Sequence, residues 1–360
     1  MKKRLHKKYI LLSTTLSALF FGIVLFGVYI VDPAGVNNKF DLGLIKKEDL
    51  ANRTQKFVEI QKFQPNTIML GGSRVHFLNT QDVKKYTNDK VYNLAFSSST
   101  LEEQYYFLKY SIENFDIKNV VIGLNLYPFS EVLRENKNTD FDKEIFSTGF
   151  TLQKELKHYL ELPMISYIKD YYTNKWVQPL YKDGSRTAYN QNLQISKKSW
   201  KEREKGSNDN YKKTYKDYLI WGDKGLNILK KMVQLCQDNN INLKVFTTAI
   251  YVSQLQILED VNKMDIYYKW KKEVSKITPY WDFMYINSIT TNSDNYIDPS
   301  HIKQEKGYLY FARLFNDNSI KVPKDFGVLV TKENIDEHLE NLKTQIKNYD
   351  LEKVLSENKN

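Results

Sequence analysis

Four short blocks in this chain carry residue types suited to acyl-transfer chemistry. The first is Gly71-Gly72-Ser73-Arg74, at the end of an apolar run where a strand gives way to a helix. Glycines permit a sharp turn there, and a serine on the turn presents its hydroxyl above the sheet. The adjacent backbone N–H groups and the helix N-terminus favour a developing oxyanion. The same residues are common in loops, where the serine is an N-cap. The second block is Asp298-Pro299-Ser300-His301. A serine nucleophile needs a base, and the base needs an orienting acceptor. An aspartate and a histidine three residues apart on a tight turn supply both. Of the five histidines only His301 has this company. His6 lies in the N-terminal basic flank, His158 mid-chain and His338 near the end, while His76 reads as a helix-surface residue. The third block, Gly123-Leu124-Asn125, ends another apolar run with an amide that can aim a donor at the same oxyanion. The fourth, Asn93-Leu-Ala-Phe-Ser97-Ser98-Ser99-Thr100, ends a further run in a turn that can offer the backbone N–H of Ser98.

These blocks need strands and helices to bring them together. Asn66–Leu70, Val91–Phe96, Asn119–Asn125, Asn242–Ala249 and Trp281–Ile286 are short, nearly continuous apolar runs, as in strands buried on both faces. Helical patterns separate them. Leu101–Phe115 follows a Ser/Thr cap and carries Glu102 and Glu103 in its first turn. Gly225–Asn239 sets Leu229, Val233 and Cys236 on one stripe, which reads Cys236 as a core residue. Ser253–Thr278 reads as one long helical stretch and Gln304–Leu314 as the last helix of the region. The alternation predicts a three-layer α/β/α domain around a parallel sheet, with ligands at the carboxyl ends of the strands. Tyr127–Trp221 falls outside the pattern as a long insertion holding Trp176, Trp200 and Trp221. It reads equally as an aromatic glycan platform or lid and as an ordinary small core. Beyond about Ile320 a helix with Ile335, Leu339, Leu342 and Ile346 on one face is expected to pack on its own domain.

Composition narrows the class of protein. The 360 residues carry 53 Lys+Arg against 43 Asp+Glu, a formal charge of +10. Lys2, Lys3, Arg4, Lys7 and Lys8 account for half of it, so the rest of the chain argues weakly for nucleic acid. An apolar run from Ile10 to Val31 follows this flank and is long enough for a hydrocarbon core of ~30 Å. It exceeds the usual signal-peptide core, so it reads as an uncleaved anchor with its basic flank in the cytoplasm and everything after Asp32 outside, the alternative being a signal sequence cleaved late, near Ala34. At 41% hydrophobic residues the chain is too polar to cross a membrane many times. A single Cys excludes an internal disulfide framework and a cysteine-built zinc site. There is no G-x-x-x-x-G-K-[ST] or G-x-G-x-x-G pattern and no metal-ligand spacing, and the chemistry outlined above needs no metal.

In this order the four blocks resemble those of the SGNH (GDSL-type) hydrolase and acyltransferase superfamily, over about Asn66–Phe315 with the insertion left out. The resemblance implies a flavodoxin-like sheet, Ser73 as nucleophile, Asp298 and His301 as its partners, and Asn125 with Ser98 as oxyanion donors. Two departures stand out: Gly72 occupies the place of the usual aspartate, and Ser98 that of a glycine, where a side chain restricts φ > 0. The Gly-x-Ser-Arg form and the single anchor are similar in layout to alginate acetylation proteins and to the lipoteichoic-acid protein DltD. That likeness implies an anchored O-acyltransferase, with an acetyl donor, a surface polysaccharide acceptor and a membrane-bound O-acyltransferase as partner. The alternatives are a carbohydrate esterase or deacetylase of the same fold and a non-catalytic accessory protein. Arg74 is expected either to bind a substrate or donor anion or to form an ion pair within the fold. The expected organisation is a basic flank at 1–8, an anchor at 9–31, a juxtamembrane segment at 32–64, the α/β domain at 65–317 with its insertion at 127–222, and a charged tail at 318–360.

Overall fold

The computed structural model describes residues 2–37, 39–40, 42–46, 51–133, 140–161 and 179–349. Trp176 lies outside the described residues. The chain divides into two units: 1–59 with 140–179, and 60–139 with 180–360.

The first unit begins with a helix, Lys2–Val31, whose His6–Val31 portion is long and apolar enough to cross a membrane. Immediately after it the chain turns back on itself around the buried Asp32, at φ +42°. The Asp32 carboxylate accepts the N–H groups of Val36 and Asn37 and the hydroxyl of Tyr159, which lies on the helix Leu152–Glu161. Val28, Ala34, Val36, Ala51 and Tyr159 bury one another around this knot. The end of the apolar helix is thus tied to part of the insertion.

The second unit is the α/β domain. Its six-stranded sheet has the order β2-β1-β3-β4-β5-β8. The strands are β1 (Thr67–Gly71), β2 (Val91–Asn93), β3 (Asn119–Leu124), β4 (Asn242–Thr247), β5 (Tyr280–Asp282) and β8 (Val328–Val330). The first five run parallel, and β8 pairs antiparallel to β5. β1 and β3 are buried along nearly their whole length, which explains their unbroken apolar sequence. A separate ribbon of β6 (Tyr296–Asp298) and β7 (His301–Ile302) closes on a tight turn. The order 2-1-3-4-5 reverses direction between β1 and β3, so the topological switch point, where doubly wound sheets bind ligands, lies between their carboxyl ends.

Helix Leu101–Asn114 starts on a full capping box between Thr100 and Glu103, as its sequence predicts. Three expectations need correction. Ser253–Thr278 forms two helices, Val252–Asp260 and Met264–Ile277, because Asn262 between them adopts left-handed φ (+55°). Gln304–Leu314 is a 3-10 turn, Gln304–Lys306, followed by the helix Tyr308–Leu314. The segment set apart as a tail supplies β8 to the sheet and packs the helix Ile335–Asn348 on the domain, so the α/β fold runs past 317. Ile335, Leu339 and Leu342 on that helix are buried, and His338 Nε2 lies 2.8 Å from Asp282 at the end of β5.

Candidate active site

The turn after β1 is built on close approach. Gly71 adopts φ +154°, and a Cβ there would fall 2.9 Å from the Gly123 carbonyl oxygen and collide with the Val75 side chain. A Cβ on Gly72 would lie 2.6 Å from Asn125 Nδ2. The two glycines therefore let the short helix Ser73–His76 sit directly on the ends of β1 and β3, with Ser73 as its first residue. Gly72 at the place of the expected aspartate keeps room for the Asn125 amide. Gly72→Ala is expected to displace that amide and lower turnover at least tenfold while the protein still folds; steady-state kinetics with circular dichroism checks this.

Ser73 Oγ lies 2.8 Å from His301 Nε2. On the other side of the ring, His301 Nδ1 is 3.0 and 2.9 Å from the two Asp298 carboxylate oxygens. These residues come from the end of β1 and from the β6–β7 turn, 228 positions apart in sequence. Asp298 Oδ1 also accepts the backbone N–H groups of Ser300 and His301. Burial works to raise the Asp298 carboxyl, but the adjacent imidazole and those N–H donors outweigh it and hold it below the usual carboxylate range. An ionised Asp298 fixes the imidazole with Nδ1 as donor, leaving Nε2 as the basic nitrogen facing Ser73. The imidazole and carboxylate keep side-chain exposures of 20% and 18%, so small molecules can reach them. Phe77 packs edge-on against the His301 ring, and the Arg186 guanidinium lies 5.1 Å over the Phe77 ring with Nη1 3.4 Å from Ser97 Oγ.

Asn125 ends β3 beside this turn. Its Oδ1 accepts the Thr248 hydroxyl, at the end of β4, and at 3.5 Å an Arg74 N–H. The amide nitrogen is the end that faces Gly72. Ser98 adopts φ +56°, the conformation its sequence position called for but its side chain disfavours, and it is exposed. Left-handed φ costs a non-glycine residue about 1–2 kcal/mol, so Ser98→Gly is expected to raise the urea midpoint without loss of activity.

Arg74 corrects both sequence expectations for it. It is buried, and its guanidinium bonds to Ser300, Gln254, Thr248 and Asn125, leaving no open face for a substrate anion and making no ion pair among the described residues. His76 is also buried rather than a surface residue. Sequence reading passed over Thr248, Ser300, Gln254 and Tyr211. Two of them stood in view: Thr248 as a polar residue ending an apolar strand, and Ser300 inside the Asp-Pro-Ser-His block.

The described part of the insertion packs beside these residues. Helix Trp200–Tyr218 sets Trp200 against Tyr251, Tyr211 over Arg74, and Arg203 onto the Ile297 carbonyl. Trp200 and Tyr211 there are half-buried and Tyr215 is buried. Among the described residues, no group of three or more His, Cys, Asp or Glu side chains is disposed to hold a metal ion.

No protein-family model matches this sequence, and no curated protein matches it. Among solved structures, the chain is similar to a candidate acylhydrolase from Bacteroides fragilis, at 12% identity and a TM-score of 0.35, covering 79% of this chain and 96% of that one.

Proposed function

We propose that this protein is a membrane-anchored serine O-acyltransferase that acetylates a surface polysaccharide outside the cell. The observation that carries this reading is the hydrogen-bonded chain from Ser73 through His301 to Asp298, on a switch-point turn beside the Asn125 amide. His301 Nε2 takes the proton of Ser73 as Oγ attacks the carbonyl carbon of the acyl donor, and the pair of electrons moves onto the carbonyl oxygen. The Asn125 amide and the N–H groups of Ser73 and Ser98 hold that oxyanion. Collapse expels the donor's leaving group, which collects the proton from His301, and leaves an ester on Ser73. A sugar hydroxyl, deprotonated by the same imidazole, then takes the acyl group and restores Ser73.

The anchored layout supports the choice of a surface acceptor. The basic flank keeps the N-terminus in the cytoplasm and sets the α/β domain outside, where a membrane-bound O-acyltransferase can supply acetyl groups. The partial exposure of the imidazole favours a second reading, an esterase in which water replaces the sugar. The test is full-length protein in detergent with an acetyl ester donor, with and without oligosaccharide. Acetylated sugar that forms only with active Ser73 supports the transferase. Free acetate at the same rate in both arms makes it an esterase. Neither product above that of Ser73→Ala ends the catalytic reading.

A further inference from the structure

Arg74 is a buried cation with no carboxylate partner among the described residues. Among the described residues its side chain bonds to neutral oxygens: Nε and Nη2 to Ser300 Oγ (3.1 and 3.0 Å), Nη2 to Gln254 Oε1 (3.1 Å), and Nη1 to Asn125 Oδ1 (3.5 Å) and Thr248 Oγ1 (3.4 Å), with the phenols of Tyr211 and Tyr215 also interacting with it. The Tyr211 ring lies 5.9 Å from its central carbon. Taking a guanidinium out of water is costly, and a carboxylate is the usual compensation. None of its partners here is a carboxylate, and the residue directly follows the nucleophile.

The bonds determine what the charge can do. Asn125 Oδ1 is held by the Thr248 hydroxyl and by Arg74, so the amide turns its nitrogen toward Gly72 and the nucleophile. A flipped amide would forfeit both bonds and present a lone pair where an oxyanion must sit. On the other side, two Arg74 donors converge on Ser300 Oγ, which also shares a hydrogen bond with the Tyr211 hydroxyl 2.7 Å away. Ser300 belongs to the turn that carries Asp298 and His301. One guanidinium therefore ties the oxyanion amide to the acid–base turn, from the position next to Ser73.

We propose that Arg74 is a positioning residue of the oxyanion hole, acting through Asn125 and Ser300, and that the negative charge of the tetrahedral intermediate is the counter-charge its resting site lacks. When Ser73 Oγ bonds to the carbonyl carbon, its proton passes to His301 and the carbonyl oxygen becomes anionic. Arg74 polarises the amide that receives this charge and needs no reorganisation to do so. The inference rests on Ser73 being the activated nucleophile proposed above, and its test is chosen to be independent of the natural acceptor.

The test measures the second-order rate at which a fluorophosphonate modifies Ser73 in the full-length protein, with thermal unfolding followed in parallel. Arg74→Met is expected to slow modification about 100-fold. Arg74→Lys, which keeps the charge but not the fork, is expected to recover only part of the rate. A purely structural role predicts that Lys and Met variants react alike. Thr248→Val, which releases Asn125 Oδ1 and removes one of the long Arg74 bonds while keeping the guanidinium in place, is expected to slow modification about tenfold at unchanged melting temperature, and it serves if Arg74→Met does not fold. Wild-type rates in both Arg74→Met and Thr248→Val overturn the proposal. Rapid wild-type labelling without transfer to any sugar overturns only the acceptor assigned above, and no wild-type labelling overturns both.

Discussion

Ser73→Ala is expected to lower the proposed acyl transfer roughly 10⁴-fold or more, because the alanine lacks the Oγ that the proposal makes the acyl acceptor. The geometry makes the expectation specific. Ser73 Oγ is the hydroxyl bonded to His301 Nε2, and the imidazole is held from behind by both oxygens of Asp298. Substrate contacts are left intact, so the loss belongs in kcat rather than KM. His301→Ala is expected to cost about as much, and the double variant little more, since the residues act as one unit. The fold is expected to survive, because Ser73 is the first residue of its short helix and that helix is seated by Val75 and the neighbouring glycines. Kinetics of the purified variant, with unchanged circular dichroism, check the prediction.

The largest effect on stability is expected at Asp282, which makes no hydrogen bond to Ser73, His301 or Asp298 among the described residues. Its carboxylate is completely buried at the end of β5 and accepts from Lys271 Nζ at 2.5 and 2.6 Å, from the Thr247 hydroxyl at 2.6 Å and from His338 Nε2 at 2.8 Å. Lys271 is buried as well. A buried pair is a weak source of net stability when intact, but removing one partner strands the other charge and costs about 3–5 kcal/mol. Asp282→Ala is expected to destabilise by that amount in urea unfolding and to loosen the helix Ile335–Asn348, which His338 pins. Lys271→Met with Asp282→Leu is expected to recover much of the loss. Burial would raise the Asp282 carboxyl, but Lys271 and His338 outweigh it and hold it well below its ordinary value. A depressed acid stabilises the fold in its ionised form. That contribution is full above about pH 4, the range of an unfolded aspartate, and drains away as pH falls toward the folded value. Wild type is therefore expected to lose stability as pH drops below about 4, and Asp282→Asn to lose part of that slope.

Much of this molecule is legible in its sequence because strong local signals coincide with the architecture. Nearly continuous apolar runs at 66–70 and 119–125 became β1 and β3, because strands covered on both faces have no polar side to show, and the run at 242–249 became β4, which is buried only over its second half. The Asp298–His301 turn was readable because three residues are enough to bring a carboxylate onto an imidazole. Other features depend on contacts between distant segments. β8 has only three residues and no pattern of its own; its antiparallel pairing with β5 creates it. The break at Asn262 hides inside an otherwise helical composition. Thr248 and Gln254 are ordinary polar residues until a guanidinium from the first strand's turn is buried against them. Position in sequence also failed to divide the insertion, whose 140–179 stretch groups with the N-terminal helix and whose helix Trp200–Tyr218 lies beside the candidate site.

The central claim is that Ser73 carries the acyl group, and intact-protein mass spectrometry after mixing full-length protein with an acetyl donor tests it most directly. The account predicts one added acetyl group that fragmentation places on Ser73, that is absent from Ser73→Ala, and that disappears on addition of an oligosaccharide as the sugar gains it. Acetylated sugar formed at the wild-type rate by Ser73→Ala, or an acetyl group carried by another residue, would contradict it.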